Sequence, residues 1–333
     1  MENYGNSRIA AVGAYLPDQI VTTDALMHEV NCARFGIPEN YISKFIGIEE
    51  KRVAPLQMCP SELATLASEI ALRDAGANAD EIDLIIYTGV ARDYIEPSTA
   101  HNVQKMLGAH KAVCLDVSNA CIGFMSGLSI ADAYLMNKSV QRVLVCSGEQ
   151  HGSLVESFVT RLQRVSEKRQ FKNKLGMLTL GDAGAAMVLE HKTSDDEGLK
   201  WIEFGSYGSH NELCYLEWVE SGIDGMMNMQ KISQQTTQFH RDLAIKTYES
   251  LGWCPREVDK LYAHQVGRRP YLDMIQIADV SSETAPITFD KCGNLASATI
   301  PVTMYLNPPR RGDKILLVGS GSGISICQGG MVF

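Results

Sequence analysis

Three features that place a chain in a specialised class are missing from this sequence. Its 333 residues carry a formal net charge of −9, without the basic excess by which nucleic-acid-binding proteins meet phosphates. No stretch reaches the roughly 18 apolar residues of a membrane-spanning helix, and the first residues lack the pattern of a signal peptide. The nine cysteines are odd in number and form no CxxC pair. We therefore expect a soluble, cytoplasmic protein with reduced thiols, no structural metal, no nucleic-acid partner and no membrane span.

Motifs for nucleotides and for common hydrolases are also missing. The glycine-rich segment 319–323 follows a predicted strand, but its spacing fits neither the dinucleotide fingerprint nor the P-loop. Neither HExxH nor GxSxG occurs in the chain. The sequence therefore argues against a dinucleotide-dependent enzyme.

Helical and strand patterns alternate along the chain. Residues Ser61–Gly76 have apolar residues at helical spacing, with Ser61 placed to cap the start and Gly76 to end the helix. The apolar run Ile82–Tyr87 then predicts a strand buried on both faces. Similar apolar runs follow at Val113–Val117, Val143–Ser147 and Lys314–Val318. This alternation predicts an α/β protein.

A weak internal repeat divides the chain into two halves. The segment Gly76–Asp83 corresponds to Gly252–Asp259, half the chain further on, and Arg142 aligns with Lys314 at nearly the same offset. The polar segment Thr193–Gly198 lies between the halves. We expect two similar α/β domains, at residues 1–192 and 199–333.

Three residues could carry thioester chemistry. Cys121 follows a predicted strand and begins an apolar helical segment, where the positive end of the helix dipole would lower the pKa of the thiol. Cysteines are also common core residues, so this feature alone assigns no nucleophile. His264 ends a predicted strand and Asn294 follows a glycine turn. A cysteine nucleophile with histidine and asparagine donors is suited to acyl transfer.

The chain resembles the ketoacyl synthase III branch of the thiolase superfamily. The resemblance rests on the segments around Cys121, His264 and Asn294, on residues 181–185 and on the glycine-rich C-terminus. It implies a thiolase fold, with two pseudo-repeated halves forming a five-layer α-β-α-β-α sandwich. It further implies that Cys121 is acylated, that His264 and Asn294 bind the thioester oxygen of a second substrate, and that the backbone N–H groups of Cys121 and Ser322 form an oxyanion hole. No metal or redox cofactor is implied.

The resemblance also points to sites for thioester delivery. Tyr41 and Lys174 stand where the fatty-acid initiation enzyme has a tryptophan and an arginine around the adenine of coenzyme A, and Arg269 matches a basic position associated with carrier-protein docking. Basic residues crowd one stretch of the N-terminal half, namely Arg161, Arg164, Lys168, Arg169, Lys172 and Lys174. This stretch is either a solvated helix face in a cap insertion or a surface that docks phosphates or an acidic carrier protein. Acyl-CoA and acyl carrier protein are thus the expected partners.

Glu96 sets the chain apart from the initiation enzyme, which has an apolar residue in this segment. With Glu96, the GNLASATIPV and HQVG segments are similar to the head-to-head acyl-condensing enzymes of bacterial olefin biosynthesis and to α-pyrone ketosynthases. In those families the glutamate is a base that the other subunit of a homodimer contributes. A salt bridge or a carboxylate at a helix start is the structural alternative. An acyl thioester without a carboxyl leaving group needs such a base to lose its α-proton.

The sequence therefore predicts a homodimeric acyltransferase that joins two acyl thioesters without decarboxylation. Within enzymes, the alternatives are a decarboxylative ketoacyl synthase III that uses malonyl thioester, or acyl transfer to an oxygen or nitrogen acceptor. A non-catalytic partner subunit of a heterodimeric synthase is the alternative from another class.

Overall fold

Thirteen strands form two large sheets and two small ones in the described part of the chain. The computed structural model describes residues 5–220 and 222–333. The strands are β1 (Ser7–Tyr15), β2 (Ile20–Thr22), β3 (Glu50–Arg52), β4 (Leu84–Tyr87), β5 (Val113–Asp116), β6 (Arg142–Glu149), β7 (Ala183–His191), β8 (Gly198–Ser206), β9 (Cys214–Val219), β10 (Gly222–Met227), β11 (Lys260–Ala263), β12 (Lys314–Gly321) and β13 (Ser325–Val332). The large sheets have the orders β1-β7-β6-β4-β5 and β11-β12-β13-β8. Strand β4 is parallel to β5 and β6, and β11 is parallel to β12, whereas β7 and β13 run antiparallel to their neighbours.

Helices cover both sheets and fill the space between them. They are α1 (Thr23–Glu29), α2 (Pro60–Ala75), α3 (Thr99–Leu107), α4 (Gly123–Tyr134), α5 (Gly152–Arg164), α6 (Lys168–Lys174), α7 (Met229–Leu251), α8 (Arg268–Ala278), α9 (Phe289–Cys292) and α10 (Thr299–Leu306). Among the described residues, no helix is long and apolar enough to cross a bilayer.

The predicted first helix is present, but a different residue caps it. Helix α2 ends at Gly76, which adopts a left-handed conformation (φ 64°), as the sequence predicts. Cys59, not Ser61, is its N-cap, and the Glu62 side chain accepts a hydrogen bond from the Cys59 amide. Pro60 occupies the first turn, where a missing N–H costs nothing. Ser61 therefore lies inside the helix.

Three apolar clusters mark the layers. The first contains Phe124 of α4 and Val302 of α10, packed between the two large sheets. The second packs α8 on β11 and β12, and the third packs α2 on β4, β6 and β7. Helices, sheet, helices, sheet and helices thus follow one another, which confirms the expected five-layer sandwich.

The sheets repeat one another along the sequence. Strand β4 corresponds to β11 and β6 corresponds to β12, at the offsets that the sequence repeat predicts. A short helical turn before the central helix also repeats, at Ala120–Ile122 before α4 and at Ala296–Ala298 before α10. The second sheet has no counterpart of β5 in the described part of the chain, so the copies are not complete. Strands β1–β7 lie before the Thr193–Gly198 segment, and β8–β13 begin at its end.

Candidate active site

Cys121 lies in a tight turn between the two halves of the molecule. Strand β5 ends at Asp116, and the Ala120–Ile122 turn leads directly into α4. Ala120 has a positive φ of 46°, a conformation that costs free energy outside glycine and is common where a side chain has to be held in a fixed place. The turn packs against the equivalent Ala296–Ala298 turn of the second half. The two repeats therefore meet at the predicted nucleophile.

The resting thiol of Cys121 is neutral, contrary to the sequence-based expectation. Burial raises the pKa of Cys121 far above its ordinary value, and the nearby Cys214 and Glu149 add to the rise. The residue's own backbone N–H has the opposite but smaller effect on this pKa. Desolvation thus outweighs the helix N-terminus, because the turn lies between two sheets instead of at the surface. The thiol has to lose its proton when a thioester arrives.

His264 and Asn294 are both attached to the Ala296–Ala298 turn and its continuation. The Nδ1 atom of His264 lies 3.2 Å from the Thr299 hydroxyl, and its backbone amide donates to Val318 at 2.8 Å. The Asn294 Oδ1 atom accepts from the Ala296 amide at 3.0 Å. The Nδ2 group of Asn294 has no partner in the described residues, which leaves it able to donate to a substrate oxygen. Because this turn packs on the Cys121 turn, the structure brings the three predicted residues together.

Burial also sets the protonation state of the histidine. It lowers the pKa of His264 to about 4, so the imidazole is neutral at neutral pH. One ring nitrogen can then donate to a developing oxyanion while the other accepts a hydrogen bond. A neutral donor stabilises an enolate without holding a permanent buried charge.

The predicted oxyanion hole lies at the end of β12. A Cβ placed on Gly321 would be 3.4 Å from the Cys121 backbone nitrogen, so the lack of a side chain there leaves room beside this N–H group. Neither the Cys121 nor the Ser322 amide donates a hydrogen bond to another described residue. Ser322 also borders a small cavity of about 410 Å³ with Cys214 and Tyr215. Ser322 thus borders space that a substrate could fill, and the Cys121 N–H group has room beside it.

Glu96 lies apart from the other three predicted catalytic residues. It is exposed, near the tip of a loop whose neighbour Ile95 is 92% exposed. The chain gives the Glu96 carboxylate no hydrogen bond or ion pair among its described residues, which speaks against the salt-bridge alternative. Within one chain, Glu96 is thus exposed and makes no hydrogen bond to Cys121 among the described residues.

A basic cleft of about 1230 Å³ lies at one side of the molecule. Seven cationic side chains line it, with Asp273 as the one carboxylate: Lys168, Arg169, Lys172, Lys231, Arg241, Arg268 and Arg269. Tyr41 lines the cleft as predicted. Lys174 does not line it, because its ammonium contacts Asp224 and the Gly225 carbonyl and lies 5.6 Å from the Phe158 ring. Two of the three predicted binding residues, Tyr41 and Arg269, thus belong to the basic cleft.

Sequence reasoning missed a row of buried ionisable residues next to the site. Glu149 ends β6, and its carboxylate lies 3.3 Å from the Nε2 atom of His151. The backbone amide of His151 donates to Asp182 at 2.7 Å, and Lys51 lies near Asp182. Burial lowers the pKa of Lys51 to about 8. The sequence signal that could have identified the row was Glu149, an acidic residue at the end of an apolar strand.

Family models match both halves of the chain. The model described as 3-oxoacyl-(acyl-carrier-protein) synthase III matches residues 115–208, and the model of the C-terminal region of the same family matches residues 248–332. Together they cover just over half of the chain.

Individual proteins agree with the family models. An acyl-CoA:acyl-CoA alkyltransferase from Xanthomonas campestris pv. campestris is 29% identical over 310 residues, 90% of each chain. A beta-ketoacyl-(acyl-carrier-protein) synthase III from Bacillus pumilus is 28% identical over 324 residues, 96% of each chain. The crystal structure of cerulenin-bound OleA from Xanthomonas campestris superposes with a TM-score of 0.92 at 26% identity, and covers 100% of this chain and 98% of that one. Other similar structures are OleA variants with a glutamate, a cysteine or a histidine replaced. By sequence, fold and the arrangement of its two halves, the chain belongs to the ketoacyl synthase III family of thiolase-fold condensing enzymes.

Proposed function

We propose that the protein joins two acyl thioesters by a Claisen condensation without loss of CO2. The observation that carries the proposal is Glu96, an exposed carboxylate on a loop, without a hydrogen bond or ion pair among the described residues. The chain also has the cysteine, histidine and asparagine that we expect of a thioester site. The acyl-CoA:acyl-CoA alkyltransferase among the relatives supports it. In the OleA variants the replaced glutamate precedes the replaced cysteine by 26 positions, and the replaced histidine follows that cysteine by 142. Here the corresponding separations, from Glu96 to Cys121 and from Cys121 to His264, are 25 and 143.

The reaction has two half-reactions. In the first, the Cys121 sulfur attacks the carbonyl carbon of an acyl thioester and the carbon–sulfur bond to the carrier breaks. The carrier leaves as a free thiol with the proton that Cys121 gives up. The amides of Cys121 and Ser322 hold the oxyanion of this step. In the second, Glu96 takes the α-proton of a second acyl thioester, and the enolate carbon attacks the acyl-Cys121 carbonyl. The Cys121–acyl bond then breaks and a β-ketoacyl thioester forms. The proton that Glu96 took up balances the one that the Cys121 thiolate regains, so both groups return to their resting states.

His264 and Asn294 have their role in the second half-reaction. Each can donate one hydrogen bond to the enolate oxygen, Asn294 through Nδ2 and His264 through a ring nitrogen. Removing one such donor in enzymes of this kind costs about 100-fold to 1000-fold in turnover. All transferred carbon atoms come from the two thioesters, and Glu96 and Cys121 only exchange protons, so the proposal uses no metal or redox cofactor.

A homodimer would bring Glu96 to a second active site. Strand β5 is an edge strand whose Val113 is 62% exposed, and Tyr94, Ile95 and Met106 present further apolar surface. An open apolar edge favours pairing with another strand, and a second copy of this chain offers the same edge in reverse. The loop tip of one subunit would then extend to the Cys121 site of its partner.

The basic cleft is the proposed docking place for the thioester carrier. Seven cations and two aromatic rings, Tyr41 and Phe45, suit the phosphates and adenine of coenzyme A as well as an acidic carrier protein.

All nine cysteines are free, as expected in a reducing compartment such as the cytoplasm.

Decarboxylative condensation is the second candidate, since relatives named as synthase III enzymes match 96% of the chain. Purified protein incubated with a long-chain acyl-CoA, with and without malonyl-CoA, separates the two by mass spectrometry of the products. We expect a coupled product from acyl-CoA alone that Glu96→Gln abolishes, while Cys121 still gains the acyl mass. Coupling that needs malonyl-CoA and survives Glu96→Gln would make the protein a decarboxylative synthase. An acylated Cys121 without any coupled product would instead favour transfer to an oxygen or nitrogen acceptor, and no acylation at all would favour a non-catalytic subunit.

A further inference from the structure

Glu149 is a carboxylate with 0% exposure at the carboxyl end of β6. Its Oε1 atom accepts from the amides of Val90 at 3.0 Å and Ser297 at 3.1 Å, and its Oε2 atom accepts from the Ala91 amide at 3.3 Å. The Ser147 hydroxyl and the His151 ring complete the shell at 3.3 Å each. A buried carboxylate persists only with such compensation, so these segments are held together by one side chain.

The amides that Glu149 holds come from two functional segments. Val90 and Ala91 form the foot of the loop that carries Glu96. The Tyr87 hydroxyl also contacts this foot, donating to the Ala91 carbonyl at 2.5 Å. Ser297 lies in the turn to which Asn294 and His264 are bound. One carboxylate therefore joins the base that would act in the partner's site to the enolate donors of its own site.

The internal repeat shows why a side chain at position 149 can reach the Ser297 amide. The eight-residue strand β6 corresponds to β12, so Glu149 takes the position of Gly321, and the Ala296–Ala298 turn places Ser297 at the position of Cys121. Ala120 and Ala296 share an unusual positive φ, 46° and 44°. At Gly321 the missing side chain leaves the Cys121 amide open, whereas Glu149 binds the Ser297 amide. Glu149, from the first half, thus occupies the space beside the Ser297 amide that corresponds to the open space beside the Cys121 amide.

His151 continues this contact into the core. Burial would lower the pKa of His151, but the hydrogen bond and the charge of Glu149, together with Asp182, raise it overall. Asp182 accepts from the amides of His151 and Ala54 at 2.7 and 2.8 Å. Lys51 lies beyond Asp182, and a Cβ on Gly293, next to Asn294, would lie 3.0 Å from its side chain. Acidic and basic side chains alternate along this row, so the charge of Glu149 is balanced by neighbouring groups.

We propose that Glu149 is a positioning residue for condensation, which fixes the Glu96 loop and the Asn294–Thr299 turn in one geometry. This inference rests on the proposed function. Acylation of Cys121 uses the amides of Cys121 and Ser322, and Glu149 makes no hydrogen bond to either of them among the described residues. The Glu149 charge does add to the rise of the Cys121 pKa, so its removal would not hinder loss of the thiol proton. Loss of the Glu149 carboxylate should therefore slow the second half-reaction and spare the first.

The test is Glu149→Gln, which keeps the size of the side chain and one acceptor oxygen but removes the other. We expect condensation to slow by about 30-fold or more, as a displacement near 1 Å of reacting groups would cause, with acyl-Cys121 formation within about threefold of wild type and an unchanged KM for acyl-CoA. Glu156→Gln, an exposed glutamate on α5, is the matched control and should leave both steps unchanged. Equal losses in both half-reactions, or condensation at the rate of the control, would overturn the assignment.

Amide hydrogen exchange tests the same contacts without relying on activity. In the wild-type protein, the amides of Val90, Ala91 and Ser297 should be protected although they lie outside helices and strands or in a short turn. In Glu149→Gln, peptides covering 88–97 and 294–299 should exchange faster, while those of α2 do not change. Fast exchange of the three amides in wild type would contradict the proposal. If wild type makes no product from acyl-CoA alone, the proposed function fails, and the exchange result still decides the role of Glu149.

Discussion

At the scale of single residues, the site depends on which proton each group carries. Burial leaves both Cys121 and His264 neutral at rest. Thr299 has one hydroxyl proton, which can go to the Ala296 carbonyl at 3.0 Å or to the Nδ1 atom of His264 at 3.2 Å. Donation to Nδ1 puts the imidazole proton on Nε2, where it can be donated to an enolate oxygen. The tautomer of His264 therefore depends on the Thr299 hydroxyl: donation to Nδ1 goes with a proton on Nε2, and donation to the Ala296 carbonyl goes with a proton on Nδ1.

Replacing Thr299 should therefore impair turnover more than binding. Thr299→Val keeps the shape of the side chain but removes the hydroxyl, and we expect kcat for condensation to fall by about 10-fold to 100-fold with KM nearly unchanged. Thr299→Ser should restore most of the loss. Steady-state kinetics with acyl-CoA measures both, and equal activity of the Val and Ser variants would show that the hydroxyl has no role.

The sequence identified these residues unevenly, for physical reasons. The places of Cys121, His264 and Asn294 in the fold could be predicted because each follows a strand or a glycine turn, which is a local signal. Glu149 and Thr299 could not, because their partners lie far away along the chain and belong to separate segments. The sequence-based prediction of a lowered Cys121 pKa was wrong, because the burial that raises this pKa depends on the packing of the whole fold.

At the scale of structural elements, the loop that carries Glu96 is fixed at both ends and has an exposed tip. Asp93 accepts from the Ser61 amide and the Asn102 side chain at 2.9 and 2.7 Å, and Asp116 accepts from the Thr99 and Ala100 amides. The tip, with Ile95, makes no such contacts within the part of the chain that the structure describes. A segment fixed at both ends with an apolar tip is suited to insertion into a partner.

Ile95→Asp should therefore disrupt assembly and condensation together. A buried, unpaired charge in the proposed interface costs on the order of several kcal/mol, enough to shift a dimer towards monomer. Light scattering after size-exclusion chromatography measures the mass, and acyl-Cys121 formation should persist. Ile245→Asp, on the exposed side of α7, is the control. A dimeric, fully active Ile95→Asp protein would contradict this role of the loop.

The basic cleft shows how much of a binding site the sequence can predict. Tyr41 and Arg269 line it, but Lys174 does not, because β10 supplies Asp224 as a nearer partner for its ammonium. The strands β9 and β10 form a hairpin that sequence reasoning did not identify. The cations that do line the cleft come from α6, α7 and α8, which only the fold brings together.

Reversing charge in the basic cleft should weaken binding without changing chemistry. We expect Lys172→Glu combined with Arg269→Glu to raise KM for the thioester about 10-fold at low salt, with kcat within about twofold, because clustered cations act mainly on encounter and binding. The effect should shrink at high ionic strength. Arg310→Glu, exposed outside the cleft, is the control. An unchanged KM in the double variant would favour a merely solvated helix face.

At the scale of the whole molecule, the duplicated α/β unit explains both the fold and its asymmetry. The correspondence of the two halves could be predicted from the sequence because helix ends and buried strands leave strong local patterns. The edge position of β5 could not, since Val113–Val117 has the pattern of a strand buried on both faces. Only the sheet order shows that one edge of the first sheet is left open.

Buried neutral histidines should make the fold sensitive to acid. Burial lowers the pKa of both His240 and His264 to about 4, below the ordinary value near 6.5. The unfolded chain then binds more protons between those values, so stability is full above about pH 6.5 and falls as pH drops towards about 4. His151, whose pKa is raised, has the opposite sign: its contribution is full below about pH 6.5 and is lost as the pH rises through its pKa in the folded protein.

Thermal unfolding as a function of pH checks this expectation. His240→Gln can still accept from Gln328, and we expect it to reduce the acid loss of Tm by about half because one of the two lowered histidines is gone. His28→Gln, at an exposed histidine, should follow the wild-type curve. A His240→Gln profile identical to wild type would contradict the assigned protonation states.

The central claim is that Glu96 acts in the partner's site, and subunit complementation tests it most directly. Cys121→Ala and Glu96→Ala homodimers should each fail to condense acyl-CoA. A purified heterodimer of the two, isolated with different tags, has one site with Cys121 and the partner subunit's intact carboxylate. It should recover about half of the wild-type condensation rate, since one of two symmetric sites is complete. A heterodimer as inactive as the two parents would contradict the claim.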